Sequence, residues 1–106
     1  MDNEHYEVAI NLNNLAALYH AKGQLERADQ LYRQALELKE KFLGSKHPDL
    51  AVTLNNMAVL AKVQGHGDEA VEIYKRALEI FEEVLGPEHP KTLTCLENYR
   101  SVRLGS

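Results

Sequence analysis

Leu54-Asn55-Asn56-Met57-Ala58 decides how the chain folds, because Leu12-Asn13-Asn14-Leu15-Ala16 matches it 42 residues earlier. The same offset lays His5 on His47 and His89, Leu12 on Leu54 and Leu96, and Asn14 on Asn56 and Asn98. Gly23 falls on Gly65, Ala28 on Ala70, Tyr32 on Tyr74, Ala35-Leu36 on Ala77-Leu78, Gly44 on Gly86, and Pro48 on Pro90. Chance does not align so many small, aromatic and helix-breaking residues. The chain is an array of about two and a half units, and a period of this size means stacked units.

Working outward from the two matched stretches, apolar residues recur at helical spacing from Tyr6 to Ala21: Val8, Leu12, Leu15, Ala16 and Tyr19. Positions i, i+3, i+4 and i+7 share one helix face, so this segment reads as an amphipathic helix. Gly23 can take the left-handed conformation that ends it. A second helix from about Leu25 to Leu43 carries Ala28, Leu31, Tyr32, Ala35, Leu36 and Leu38 as its stripe, with Glu37, Lys39, Glu40 and Lys41 on the wet side. Pro48 suits the opening turn of the next helix. The second unit repeats the scheme, Pro48 to Val63 and then Asp68 to Leu85.

The third unit is one helix, about Pro90 to Leu104. Ala16 and Ala58 become Arg100 there, and Tyr19 and Ala61 become Arg103. Both charges occupy the face a further helix would need. Cys95, Leu96, Tyr99 and Val102 form a stripe that can lie back on the preceding helix. End units of stacked arrays need a polar outer face, so this helix reads as a cap. The expectation is a single all-α domain of about five helices, with hairpins over 6–43 and 48–85 and a capping helix over 90–104.

Composition fits that picture. The chain has 106 residues, 44% hydrophobic and 26% charged, with a net charge of −4. The mixed charge gives no footprint for nucleic acid or an anionic membrane, and no apolar run reaches membrane-spanning length. The N-terminus, Met1-Asp2-Asn3-Glu4-His5, is polar and lacks the apolar core of a signal peptide. Cys95 is the one cysteine, so no internal disulfide forms and a reducing compartment suits it. The expected location is cytoplasmic.

The spacing inside each unit resembles a known family. Leu12, Leu15, Ala16, Tyr19, Gly23, Ala28, Tyr32 and Ala35 are similar to the tetratricopeptide repeat signature. Leu54, Met57, Ala58, Gly65, Ala70, Tyr74 and Ala77 follow it in the second unit, with Ala61 departing from the usual aromatic. Glu40 and Glu82 stand where the family's closing proline is common. The long period, with Leu-Asn-Asn-Leu/Met-Ala, Tyr-x-x-Ala-Leu and Leu-Gly-x-x-His-Pro, is similar to kinesin light chain repeats. The resemblance implies a short right-handed α–α superhelix and a scaffold that binds proteins or peptides. It implies no cofactor.

On the first helix of each unit, one face is turned away from the core. It holds Ile10, Asn13, Ala17 and His20, with Asn14 at its edge; then Val52, Asn55, Val59 and Lys62, with Asn56; then Thr94, Glu97 and Ser101, with Asn98. An asparagine amide both donates and accepts, so it can pair with a peptide main chain whatever the sequence. The resemblance implies that role for Asn13 and Asn55, and by adjacency for Asn14 and Asn56, with Ala17, Val52 and Val59 selecting small or apolar side chains and Lys62 and Glu97 at the margins. The alternative is that these asparagines tie helix to helix. Successive sites would lie two helix spacings of about 8–10 Å apart, a span of five or six extended residues at roughly 3.3 Å each. With only Lys62 and His20 as basic groups on this face, the family's two-carboxylate clamp is not expected.

Other chemistry is weaker. The periodic histidines are too far apart to share a metal, and His47 and His89 read as local turn and cap residues. No nucleophile, base and orienting group can be assembled, and Cys95 sits on a stripe that predicts burial. No enzyme activity and no metal is expected. A structural module, or a fragment of a longer array, remains the competing reading, with weak self-association through the N-terminal helix face.

Overall fold

The computed structural model describes the backbone of residues 2–104 and the side chains of residues 6–104. Five helices and no strand form among them: α1 (Asp2–Ala21), α2 (Leu25–Leu43), α3 (Pro48–Val63), α4 (Gly67–Leu85) and α5 (Pro90–Arg103). The α1 helix begins ahead of the apolar periodicity that opens at Tyr6. Packing is mainly between chain neighbours, α1 on α2, α3 on α4, α2 against α3 and α4 against α5, with a smaller contact of α1 on α3. Two hairpins and a fifth helix therefore stack in line.

Helix crossings are close because the residues at them are small. Ala16, Ala28, Ala58 and Ala70 have no exposed surface, and removing side-chain bulk is what lets ridges of one helix settle into grooves of another. Tyr32 and Tyr74 fill the space beside the crossings, each 2% exposed. Burial raises both hydroxyls' pKa, that of Tyr74 to about 12. Each hairpin turns at a glycine: Gly23 and Gly65 have φ of +81° and +84°, and the next amide closes the helix end, Gln24 N–H on Tyr19 O and His66 N–H on Ala61 O. A side chain at either glycine would be strained.

The histidines before the prolines act as helix caps. His47 Nδ1 accepts from Asp49 N–H at 3.0 Å, and His89 Nδ1 from Lys91 N–H at 3.1 Å. Each satisfies an amide that the first turn leaves without an intrahelical partner. The side chain of His5 lies outside the described residues.

Two sequence expectations need correction. Leu15 and Val8 are 41% and 46% exposed, not core, while Ala9 is fully buried. The face they occupy on α1 is the face that α3 buries on the preceding hairpin, and among the described residues nothing precedes α1. Lys39 is not on a wet face either, being 5% exposed. Its ammonium reaches Thr53 Oγ1 at 2.9 Å and the Asp49 carbonyl at 3.5 Å. Its stem packs in the α2–α3 seam, as long cationic side chains can. Burial there lowers its pKa, with Asp49 acting the other way.

On the opposite side the charge runs pair between hairpins: Arg33 with Glu69 at 2.9 Å, Arg76 with Glu40 at 3.1 Å, and Lys46 with Glu83 at 3.0 Å. These partners are 40–68% exposed, so each pair contributes little, roughly 0–1 kcal/mol.

Lys39 is the position where stability should respond most to chemistry. Lys39→Ala removes a buried stem and should destabilise by about 2–4 kcal/mol, the range for large-to-small changes in cores. Lys39→Met keeps the stem without an ammonium to desolvate, so it should fall within about 1 kcal/mol of the parent. Urea denaturation followed by circular dichroism measures both.

Candidate functional site

Because the units repeat, the joint between α1, α2 and α3 has an internal counterpart between α3, α4 and α5. The first joint is filled and stitched. Lys39 donates to Thr53, Thr53 Oγ1 donates to Asn13 Oδ1 at 2.9 Å, and the Tyr6 hydroxyl donates to the Asp49 carboxylate. That hydrogen bond, with burial and the carboxylate charge, pushes the Tyr6 pKa up to about 12.

Different residues meet in the second joint. Forty-two positions on from Lys39, Asp49 and Thr53 stand Phe81, Lys91 and Cys95, and Pro48 stands on from Tyr6. No long cation crosses the seam. A cavity of about 260 Å³ opens there, lined by Val52 and Asn55 of α3, Phe81 of α4, and Pro90, Lys91, Thr94 and Cys95 of α5. Cys95 Sγ is directed at the Tyr74 carbonyl, 3.8 Å away, and not at Asn55. The carbonyl oxygen of Asn55 is consequently buried with no hydrogen-bond partner. An orphaned buried polar atom costs about 1–3 kcal/mol, so this one is a feature to be explained.

The candidate residues named from sequence are distributed unevenly. Val52 and Asn55 line the cavity together with Thr94. Asn56 and Val59 are half-buried on the same helix, and Lys62 is exposed. Lys62 Nζ lies 3.4 Å from Ser101 Oγ, which brings the outward faces of α3 and α5 side by side. Asn14, Ala17 and Glu97 are exposed and line no part of this cavity. Asn13 is tied to Thr53 through its oxygen, so one half of the amide expected to hold a ligand serves the scaffold. The asparagines are thus split between the two roles weighed from sequence.

Sequence reasoning missed Phe81, Pro90, Lys91 and Cys95 as lining residues. The signal was available in the register: positions 39 to 81 and 53 to 95 change from polar to apolar, and 6 to 48 loses a hydroxyl.

Cys95, 1% exposed, forms one wall. Burial pushes its thiol from the usual 9 up to about 11, with the charge of Glu82 adding to the effect. Raised in the folded state, this group contributes stability that is complete below pH 9. That contribution disappears as pH rises through about 11. The stability difference between the parent and Cys95→Ala should therefore shrink between those limits, as read from urea melts at several pH values. Thiol reagents at pH 8 should modify the native chain at its unfolding rate only.

No helix of the described residues is long and apolar enough to cross a membrane. A family model for the tetratricopeptide repeat matches residues 7–66, and a second matches residues 50–91. None of the curated proteins matches. Among solved structures, BtubC (BKLC) from P. vanneervenii superposes with a TM-score of 0.84 at 23% identity, over 91% of this chain and 38% of that one. A kinesin light chain-like protein of Podosopora anserina with nearly identical TPR-like repeats gives 0.81 at 28% identity, over 89% and 44%. This chain therefore spans less than half the length of either.

Proposed function

The chain belongs to the tetratricopeptide repeat family, with repeats similar to those of kinesin light chains, and from that premise we propose that it binds an extended peptide along the outward faces of α1, α3 and α5. Repeats of this family generally mediate protein–protein interaction. The observation that carries the finer reading is the cavity beside Asn55. An unfilled apolar recess and an unsatisfied amide oxygen lie next to each other on the face named from sequence. Val59 and Lys62 extend that face along α3, and Ala17 and Asn14 continue it on α1. The buried, raised thiol of Cys95 suits a binding protein better than a catalyst. A reducing, cytoplasmic setting would keep it intact.

Asn13 and Asn55 should separate in their effects. Asn13→Ala leaves Thr53 without its acceptor and should lower stability by about 1 kcal/mol. Asn55→Ala removes an oxygen that has no partner, so melting should barely change. Peptides selected from a random library on the whole protein should bind Asn55→Ala more weakly by about 0.5–1.5 kcal/mol. A library that yields no binder would contradict the reading.

A second reading, assembly, is favoured by one observation. Val8, Leu15 and Leu18 are 46%, 41% and 50% exposed, whereas the residues one unit on, Leu50, Met57 and Leu60, are at most 4% exposed. The latter are covered by a helical hairpin, and the former present the same face for another unit or copy. Sedimentation at millimolar concentration should reveal reversible self-association, abolished in Leu15→Glu. A strict monomer would count against it.

A further inference from the structure

We propose that the recess between α3, α4 and α5 is an anchor pocket for one large aliphatic side chain of a bound peptide, leucine in size, whose own main-chain N–H is received by the carbonyl oxygen of Asn55. This deepens the peptide-binding reading and rests on it.

The two joints of the array make the case, because each is the other's control. In the first, Lys39, Thr53 and Asn13 form a continuous hydrogen-bonded chain through the seam, and Tyr6 closes over Asp49. All three polar partners of that chain are satisfied. In the second, Phe81 ends the space that a lysine would cross, Cys95 turns its thiol to Tyr74, and Pro48 offers no hydroxyl to close the mouth. The walls become Val52, Phe81, Pro90 and Cys95, apolar apart from Thr94 at the rim, Lys91 at the mouth and Asn55 at the inner side. A volume near 260 Å³ lies below the range of about 300–1,000 Å³ typical of small-molecule sites. It suits one side chain.

The occupant's polar part follows from Asn55. Its oxygen has no donor within the described residues, although its equivalent on α1 receives one from Thr53. What is missing is therefore a donor and not an acceptor. A main-chain N–H is the donor that every extended peptide residue except proline carries beside its side chain. The terminal torsion of an asparagine is broad, so the amide can turn its oxygen to meet a donor entering beside Val52 and Thr94. Filling the recess and satisfying the oxygen then happen in one step, which makes this position the anchor and leaves the α1 face as an extension.

The test uses the whole chain, isotopically labelled, and blocked amino acids as probes. N-acetyl-leucinamide should shift the amide resonances of Val52, Asn55, Thr94 and Cys95, saturating on the order of millimolar. N-acetyl-alaninamide, which lacks most of the apolar surface, should bind at least about tenfold more weakly. The leucine probe with its α-nitrogen methylated and its terminal amide dimethylated has no donor for Asn55 and should lose about tenfold against the probe dimethylated at the terminal amide alone. Asn55→Leu should lose as much for the parent probe while melting at the same or a higher temperature. Because Thr94 is exposed, Thr94→Trp should cover the mouth without disturbing the core and abolish binding. Equal affinity for the leucine and alanine probes, an undiminished methylated probe, or shifts centred on Ala17 and His20 would each overturn the proposal. Library-selected peptides that bind while leaving Val52 and Thr94 unmoved would retire the pocket and keep the peptide-binding groove, so the two failures are distinguishable.

Discussion

Everything in this chain depends on four positions where side-chain bulk is absent. Ala16 and Ala28 lie on the two helices of one hairpin and Ala58 and Ala70 on those of the next, all four without exposed surface. The helices of a hairpin can approach only as closely as these residues allow. That distance decides whether Tyr32 and Tyr74 reach the space beside the crossing and where the following helix lands. A larger residue at any of the four would push the helices apart and move every joint downstream, since units in such arrays touch only their neighbours.

Given fixed hairpins, character is set at the seams between them. The first seam is closed by a buried lysine whose ammonium is satisfied by a hydroxyl and a carbonyl, and that hydroxyl is satisfied in turn by Asn13. A buried charge is tolerable when its hydrogen bonds are complete. The second seam lacks the lysine and the hydroxyl together. Changing Lys to Phe alone would take the donor from the threonine oxygen but leave its bond to Asn13, and changing Thr to Cys alone would leave the lysine only the Asp49 carbonyl at 3.5 Å. The coupled change instead leaves Asn55 Oδ1 without a donor beside an open apolar recess, while on α5 the Thr92 hydroxyl is buried without a partner as well. Stability given up at one atom is where recognition can be gained.

How much of this could be read in the sequence depends on how local the cause is. Helix spans, glycine turns and histidine caps follow from residues within a turn of one another, and the 42-residue register exposes them twice. Leu15 was misplaced because its side chain carries no record of whether a neighbour exists to cover it. Lys39 was misplaced because a lysine's helical position predicts water, whereas its length lets the charge find Thr53 on another helix. The cavity escaped notice for the same reason. It is a property of three helices at once, visible only when positions 39, 49 and 53 are set against 81, 91 and 95.

The central claim is that residues 81, 91 and 95 are what keep the second seam open. It is tested most directly by rebuilding the first seam in its place with Phe81→Lys, Lys91→Asp and Cys95→Thr in one chain. Titrating N-acetyl-leucinamide while recording the melting temperature should give a protein that melts at or above the parent, with Asn55 now satisfied, and that no longer binds the probe. A variant that still binds leucinamide as the parent does, or that melts well below it, would contradict the account.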